Sequence, residues 1–384
     1  MGYNEMNFKK FDVCDTHIHI VFPEKVERTE EILREMIEHF GYKRIGIMAL
    51  TSGSMHRKTD YVNNLKAIYV KDRINKERED TVFVYGNLFH YYDERDTADG
   101  YLEQLKTLYA MGADGIKLLD GKPDIRRKLG RSLSDPIYDK MYAYAEENGI
   151  PVKMHVADPP NYWGPKESMP EFSVRMGWWY GDGRTPSFEE IHEEVYEILR
   201  KFPRLKFCAA HCFYMSYDLD ALSYFLDTWE NTSIDLTPGL SNLLNFTLAP
   251  EKSKEFFKKY ASRIFFGTDI FNKSLSGPLS KYDMWEAPTT VRRVLEKTPE
   301  EAFDNSIGHL VPLDLDDEIL REVYIGSHEK LHPHARALDR ERIVSEAKYA
   351  LRALENRTIP YENDAEYTLE IANLKTIIDN FERK

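Results

Sequence analysis

The chain has 384 residues, of which 42% are hydrophobic and 30% charged, as in ordinary globular proteins. Its formal net charge of −13 argues against nucleic acid and anionic membrane surfaces as partners. It has no apolar stretch long enough to cross a bilayer and its first ten residues do not resemble a signal peptide, so we expect a cytoplasmic protein with reduced cysteines at Cys14, Cys208 and Cys212.

Strand-like and helix-like segments alternate regularly in the first third of the chain. Apolar runs predict strands at residues 11–20, 44–50, 81–88 and 115–119. Helical periodicity predicts helices at residues 29–40, 60–74 and 99–111. The first and third helices are followed by Gly41 and Gly112, and glycine readily takes the left-handed conformation that ends a helix. The second helix is predicted to be amphipathic, with an apolar side formed by Tyr61, Leu65, Ile68 and Tyr69.

The same alternation continues through the middle of the chain. Strands are predicted at residues 151–156, 205–211, 232–237 and 264–269. Helices are predicted at residues 135–149, 187–202, 217–229 and 251–260. The second of these begins with a capping box formed by Ser187 and Glu190. Residues 157–186 show no recognisable element, and a loop of this length in a compact fold is usually functional, so we expect an active-site lid or specificity loop.

Eight predicted strands separated by helices are typical of a closed (β/α)8 TIM barrel, which is an α/β fold. An open doubly wound sheet is the alternative. Such a sheet usually has a glycine-rich phosphate turn after its first strand, whereas this chain has His17 and His19 there. The pattern therefore favours the barrel.

The C-terminal part of the chain is predicted to be helical. Residues 316–325 form a closing helix that ends at Gly326. Two charged amphipathic helices follow within residues 339–384, divided by a turn at residues 357–360. We therefore expect a barrel and a helical extension, at residues 1–333 and 334–384. The polar extension is expected to serve packing or contacts between copies of the chain.

Residue types that bind metals and move protons stand at the ends of five predicted strands. His17 and His19 are two residues apart in a strand, so their side chains point to the same face. The other strand ends carry Lys117, His155, His211 and Asp269. Strand ends converge on one face of a barrel, and imidazoles with one carboxylate suit a divalent, zinc-like ion that keeps a position open for water.

Each of these residues also has a structural interpretation. His155 or His211 could cap a buried strand, Asp269 could cap a turn, and Lys117 could form a salt bridge inside the barrel. A zinc site built from His211 and the flanking Cys208 and Cys212 is a further alternative. One such residue can stand at a strand end by accident, but six are much less probable by accident. The set as a whole therefore favours a shared metal site.

The motifs around these residues resemble the metal-dependent amidohydrolase superfamily, in its amidohydrolase-related, aminocarboxymuconate-semialdehyde-decarboxylase-like branch. The motifs that carry the resemblance are Asp15-Thr-His17-Ile-His19, Gly115-Ile-Lys117-Leu, Lys153-Met-His155, Ala209-Ala-His211 and Gly267-Thr-Asp269. The closing segment at residues 310–331 is similar to the final helix of that branch, although Ser327-His328 stands where an Asn-Ala pair is usual.

The resemblance implies a set of roles for these residues. His17, His19, His155 and Asp269 would bind one divalent ion, zinc first. Asp269 would also act as a catalytic base, and His211 would be a catalytic acid-base group or an electrostatic clamp on the substrate or water. Lys117, the third catalytic candidate, would remain an amine near the substrate. The alternative is a carboxylated Lys117 that bridges two metal ions, with His155 and His211 on the second ion.

Hydrolysis of an amide, ester or lactone is the first expectation, because a zinc ion activates water at neutral pH. A metal-dependent lyase, either a decarboxylase or a hydratase, is the alternative, and a ligand-binding barrel without activity is a third. We expect a small, carboxylated substrate and a homo-oligomer, with a dimer favoured. The side chains predicted to contact the substrate are Arg57, Arg126, Arg127, Trp163, Trp178, Trp179 and Arg184.

Overall fold

A computed structural model describes residues 3, 6–21, 23–50, 61–88, 90, 94, 96–238, 241–272, 286–305, 308–356 and 364–383. Arg57 and the predicted turn at residues 357–360 lie outside the described residues. The chain forms two compact units. The first comprises Met1–Lys117, Phe266–Thr290 and Tyr324–Lys384, and the second comprises Leu118–Phe265 and Val291–Val323.

Parallel strands joined by helices give the chain an α/β fold of the (β/α)8-barrel class, as predicted. The strands are β1 (Val13–His19), β2 (Tyr42–Met48), β3 (Val82–Asn87), β4 (Gly115–Gly121), β5 (Val152–Val156), β6 (Phe207–Ala209), β7 (Thr232–Asp235), β8 (Ile264–Phe265) and β9 (Ile270–Phe271). The strand order is β4-β3-β2-β1-β9 in the first unit and β8-β7-β6-β5-β4 in the second. An antiparallel hairpin, β10 (Phe303–Asn305) and β11 (Gly308–Leu310), is separate from these strands.

The strands read as continuous apolar runs because nearly every residue in them is buried, which is typical of parallel strands covered by helices. The α-helices of the described residues are α1 (Val26–Phe40), α2 (Tyr61–Asn75), α3 (Ala98–Met111), α4 (Pro123–Leu129), α5 (Asp139–Glu147), α6 (Glu171–Arg175), α7 (Phe188–Lys201), α8 (Leu219–Thr228), α9 (Asn242–Leu248), α10 (Pro250–Tyr260), α11 (Glu286–Glu296), α12 (Asp317–Arg321), α13 (Ser327–Leu331), α14 (Arg340–Glu355) and α15 (Asp364–Glu382). Within the described part of the chain, no helix combines the length and the apolar character that a membrane span requires.

Several predicted helix ends are confirmed. Gly41 and Gly112 follow α1 and α3 in the left-handed conformation, with φ of 66° and 103°. Ser187 and Glu190 form both hydrogen bonds of the capping box at the start of α7. These ends depend on local backbone chemistry, which a sequence carries directly.

The amphipathic character predicted for α2 is wrong, because the described side chains from Val62 to Asp72 are buried on all sides. The reason is the C-terminal extension, whose helices α14 and α15 pack against α2 within the first unit. A buried ion pair between Lys66 and Glu370 is part of this contact. The polar Lys66 side chain, which the sequence pattern places toward solvent, is therefore buried against Glu370.

Three other predicted features differ from the structure. The eighth strand ends at Phe265, and Asp269 belongs to the turn that follows it. Gly326 does not end the closing helix, because it takes ordinary right-handed helical angles and the chain continues into α13. Residues 157–186 are ordered rather than an open loop, since they fold as short helical turns around a cluster of Tyr162, Met169 and Tyr180.

Candidate active site

The end of β1 brings two imidazoles to one carboxylate. The Nε2 atom of His19 lies 2.7 Å from Oδ1 of Asp269, and Nε2 of His17 lies 3.8 Å from the same oxygen. The potential ligand atoms of the three residues all lie within 4.8 Å of one another. Both imidazoles are buried, whereas the Asp269 side chain is 35% exposed. Two nitrogen ligands, one oxygen ligand and an accessible side fit a catalytic divalent metal.

The strand next to β1 fixes which nitrogen His19 offers. Its Nδ1 lies 3.2 Å from the carbonyl oxygen of Met48 in β2. A carbonyl oxygen only accepts hydrogen bonds, so Nδ1 of His19 carries a proton, and Nε2 is the nitrogen that faces the Asp269 carboxylate. A metal-binding histidine needs this kind of partner on its other nitrogen. Nε2 is therefore the nitrogen that His19 would offer to a metal ion.

Asp15 joins β1 to the turn that carries Asp269. Its Oδ1 accepts hydrogen bonds from the backbone amides of His17 and Thr268, at 3.1 and 3.2 Å, and its Oδ2 accepts one from the Thr268 hydroxyl at 2.5 Å. Asp269 itself has a φ of 61°, and its backbone amide donates to the His17 carbonyl oxygen at 2.9 Å. These bonds hold Asp269 in a left-handed conformation that is uncommon for a residue with a side chain. Asp15 has no role among the sequence-based predictions, although its spacing places it on the same face as His17 and His19.

Lys117 lies beside the same group. Its side chain is fully buried, and its Nζ atom is 3.2 Å from Nε2 of His17. Asn87 donates to the Lys117 carbonyl oxygen at 2.9 Å and so fixes this part of β4. The structure therefore brings together four of the six strand-end residues, His17, His19, Lys117 and Asp269, within the first unit.

The second unit holds the other two strand-end residues, His155 and His211, in ring contact with each other. Their ring centroids are 4.6 Å apart. The ring of Tyr214 lies 5.2 Å from His211 and 5.6 Å from His155. Tyr214 was not anticipated, because it follows β6 by five residues and no spacing rule connects it with the strand ends.

His155 is backed by a buried carboxylate. Its Nε2 lies 3.2 Å from Oδ1 of Asp158, whose Oδ2 accepts hydrogen bonds from Lys122 at 2.8 Å and from the Tyr180 hydroxyl at 2.6 Å. Burial favours the neutral form of Asp158, but the charge of Lys122 and the hydrogen bond to His155 outweigh it and hold its pKa well below the usual value. Burial and the neighbouring Asp158 carboxylate raise the pKa of Tyr180, so its hydroxyl keeps its proton.

A chain of hydrogen bonds also orients His211. Its Nδ1 lies 3.0 Å from Oγ1 of Thr237, and the Thr237 hydroxyl donates to Oδ1 of Asp235 at 2.5 Å. Because that hydroxyl has one proton, Thr237 accepts from Nδ1 of His211, and Nε2 of His211 keeps its lone pair. The other oxygen of Asp235 lies 3.1 Å from the buried Nζ of Lys153. No sequence pattern points to a role for Asp235, Thr237 or Lys153.

The backbone at His211 is unusual. The four residues from His211 to Tyr214 all have positive φ, between 49° and 57°, although none is glycine. A left-handed conformation costs roughly 1–2 kcal/mol per residue with a side chain. The turn is held by the backbone amide of His211, which donates to Asp235 at 2.8 Å, and by Asn242, which donates to the His211 carbonyl oxygen at 2.7 Å. Strain of this kind concentrates at functional sites.

The predicted substrate contacts that the structure describes lie in the second unit and have partners there. Arg126 donates to both carboxylate oxygens of Glu194, Arg127 contacts the Thr185 hydroxyl, and Arg184 pairs with Asp182. Trp163 and Trp179 donate to backbone carbonyl oxygens, and the Trp178 ring lies 4.5 Å from the Lys122 ammonium. Their roles toward a substrate remain predictions. All three cysteines are buried and none forms a disulfide, and burial raises the pKa of the Cys212 thiol.

Comparison with known proteins gives one family and several similar structures. The model of the family described as amidohydrolase matches residues 14–304. An uncharacterized TIM-barrel protein from Bordetella bronchiseptica is 14% identical with a TM-score of 0.51, and the alignment covers 85% of this chain and 99% of that one. The 2,6-dihydroxybenzoate decarboxylase from Rhizobium is 13% identical with a TM-score of 0.52, covering 84% and 98%. At these identities the likeness shows the barrel fold. No curated protein sequence matches the chain.

Proposed function

The chain belongs to the amidohydrolase family, and on that premise we propose that it is a metal-dependent hydrolase of a small, carboxylated amide, ester or lactone. The observation that carries the proposal is the group formed by His17, His19 and Asp269. It combines two buried imidazoles and a partly exposed carboxylate, and a side open to solvent is what distinguishes a catalytic from a structural site.

The donor set fits one divalent ion, with zinc as the first candidate. His19 is supported by the Met48 carbonyl oxygen on the nitrogen that faces away from Asp269. His155 remains a predicted further ligand, and a second ion with carboxylated Lys117 remains the alternative. When bound, such an ion acts as a Lewis acid and makes water a nucleophile at neutral pH.

The chain's own residues would handle the protons. The Asp269 carboxylate, held by its backbone bond to His17, accepts a proton from the attacking water. His211, protonated at Nε2, would give that proton to the leaving group and then regain a proton from solvent. Asp235, through Thr237, would stabilise the protonated imidazole. Lys117 supplies a buried positive charge for a developing negative charge on the substrate.

The substrate class and cellular setting complete the proposal. Arg57, Arg126, Arg127 and Arg184 are the candidate partners of the substrate carboxylate, and Trp163, Trp178 and Trp179 are the candidate aromatic contacts. We further propose a cytoplasmic homo-oligomer, in which the C-terminal extension from residue 334 supports the barrel.

A decarboxylase or hydratase is the second candidate. It is favoured by the structural likeness to 2,6-dihydroxybenzoate decarboxylase and by the contact between His155, His211 and Tyr214. Loss of carbon dioxide leaves a carbanion that needs a proton, and these three side chains are proton carriers. The two candidates share the metal group and differ in the roles of His155, His211 and Tyr214.

The experiment is a parallel screen of carboxylated lactones and amides against carboxylated enols and hydroxybenzoates. Cleavage of the lactone or amide, followed by mass spectrometry, and carbon dioxide release are recorded for the wild type, for Asp269→Asn and for the wild type with a chelator. Lactone or amide cleavage that both treatments abolish supports the hydrolase. Carbon dioxide release that both treatments abolish selects the lyase. Turnover that survives chelation and Asp269→Asn contradicts both candidates.

A further inference from the structure

A buried polar chain connects His155 with the ordered segment at residues 157–186, here called the aromatic segment. We propose that Asp158 and Tyr180 are positioning residues, which fix the orientation and the tautomer of the His155 imidazole through the folding of the aromatic segment. The consequence for metal binding rests on the proposed function, whereas the consequence for the imidazole itself does not.

The backbone directs Asp158 back to the strand that it follows. His155 lies in β5, and Ala157 after that strand has a φ of 59°, a left-handed angle that reverses the chain. The carboxylate of Asp158 thereby reaches the imidazole three residues before it, at 3.2 Å from Nε2. An ionised carboxylate only accepts hydrogen bonds, so Nε2 carries the proton and Nδ1 keeps its lone pair.

The other carboxylate oxygen is held from the far end of the aromatic segment. Tyr180 follows Asp158 by 22 residues and donates to Oδ2 at 2.6 Å. Tyr180 is itself fixed, because its backbone amide donates to the Tyr162 carbonyl oxygen at 2.9 Å and its ring contacts Trp163 at 4.9 Å. Lys122 supplies the second donor to Oδ2 and lies against Trp178. The folded segment therefore determines where the carboxylate sits.

The chain offers a matched control within the same aromatic cluster. Tyr162 is buried beside Tyr180, and its hydroxyl forms a hydrogen bond with Ser173 at 2.9 Å. Tyr180→Phe and Tyr162→Phe each remove one buried hydroxyl from this cluster, but only the first removes a donor to Asp158. If loss of a hydroxyl acts by loosening the aromatic segment, the His155 imidazole changes in both variants. If it acts through Asp158, the imidazole changes only in Tyr180→Phe.

The first arm of the test reads the imidazole directly in the full chain. Histidine labelled with 15N gives the tautomer of each ring, and His155→Gln assigns the His155 signals. We expect protonation at Nε2 in the wild type and in Tyr162→Phe, and a several-fold rise in the other tautomer in Tyr180→Phe. Asp158→Asn should shift it further, and if that variant does not fold, Tyr180→Phe decides. Unchanged signals in Tyr180→Phe, or equal changes in both tyrosine variants, overturn the proposal.

The second arm connects the imidazole with the metal, using Co²⁺ as the probe. Loss of an outer partner of a metal ligand weakens affinity by about 10–100-fold. We expect the Co²⁺ dissociation constant to rise about tenfold in Tyr180→Phe and to stay unchanged in Tyr162→Phe. Equal affinities in these two variants overturn the connection with the metal. A wild type that does not bind Co²⁺ contradicts the proposed function instead, and the 15N signals still decide whether Asp158 positions His155.

Discussion

The two units hold their imidazoles with different kinds of partner. In the first unit, His19 donates to a backbone carbonyl oxygen of the neighbouring strand. In the second unit, His155 is held by the carboxylate of Asp158, and His211 is held by Asp235 through Thr237. Each of these two carboxylates is paired with a buried lysine, Lys122 for Asp158 and Lys153 for Asp235.

The kind of partner should determine how strongly a substitution lowers the stability of the protein. A backbone carbonyl oxygen is neutral and stays in place when a nearby side chain is changed. A buried carboxylate with its lysine is stabilising only while every member has its partners, because an uncompensated buried charge is expensive. Substitutions of His17, His19 or Asp269 in the first unit should therefore reduce activity more than stability. Substitutions of the buried Asp158 or Asp235 in the second unit should reduce both activity and stability.

Asp269→Asn tests the first half of this comparison and should have the largest effect. The amide loses the charge that the metal and the proton transfer require, so we expect the catalytic rate constant to fall by about 10²–10⁴-fold. The side chain is partly exposed, so the free energy of unfolding should change by about 1 kcal/mol or less. Steady-state kinetics and urea unfolding measure the two quantities. A large loss of stability in Asp269→Asn would contradict the expectation that substitutions in the metal group reduce activity more than stability.

Asp235→Ala tests the second half. It leaves the buried Lys153 ammonium without its carboxylate and removes an acceptor for the strained turn at His211, so we expect a loss of about 3–5 kcal/mol in the free energy of unfolding. Adding Lys153→Met to the same chain should recover part of that loss. Urea unfolding of the single and double variants is the measurement, and a single variant as stable as the wild type contradicts the account.

Thr237→Val isolates the hydrogen-bond chain from the charges. Valine keeps the shape but cannot connect His211 with Asp235, so the imidazole is no longer held in one tautomer. We expect kcat/KM to fall roughly tenfold, the effect of losing about 1.5 kcal/mol of hydrogen bonding. The unfolding midpoint in urea serves as the control for a purely structural change. An unchanged kcat/KM indicates that Thr237 does not position His211.

Arg184→Ala should have the smallest effect on stability. Its ion pair with Asp182 is in the second unit too, but the Arg184 side chain is 77% exposed. Exposed pairs contribute about 0–1 kcal/mol, so urea unfolding should scarcely change. If Arg184 binds the substrate carboxylate, KM rises in this variant. A stability loss comparable with that of Asp235→Ala would show that burial does not explain the difference between the two pairs.

The residues predicted from sequence are those that the general geometry of strands and barrels places. His17 and His19 share a face because strand side chains alternate, and Lys117 follows from the convergence of strand ends. Asp269 reaches the same group although it lies in the turn after the eighth strand. Asp158, Asp235 and Thr237 could not be predicted in this way. Their roles depend on which backbone amide or imidazole lies opposite them after folding, 24 residues away in the case of Asp235 and His211. For the same reason the sequence indicated a solvent-facing side for α2, which α14 and α15 cover.

The metal content of the protein tests the central claim most directly. Elemental analysis is carried out on protein purified without added metal, for the wild type and for the double variant His17→Ala with His19→Ala. We predict about one divalent ion per chain in the wild type and almost none in the double variant. Absence of metal in the wild type after incubation with Zn²⁺, or equal metal content in the two proteins, would contradict a metal centre at His17, His19 and Asp269.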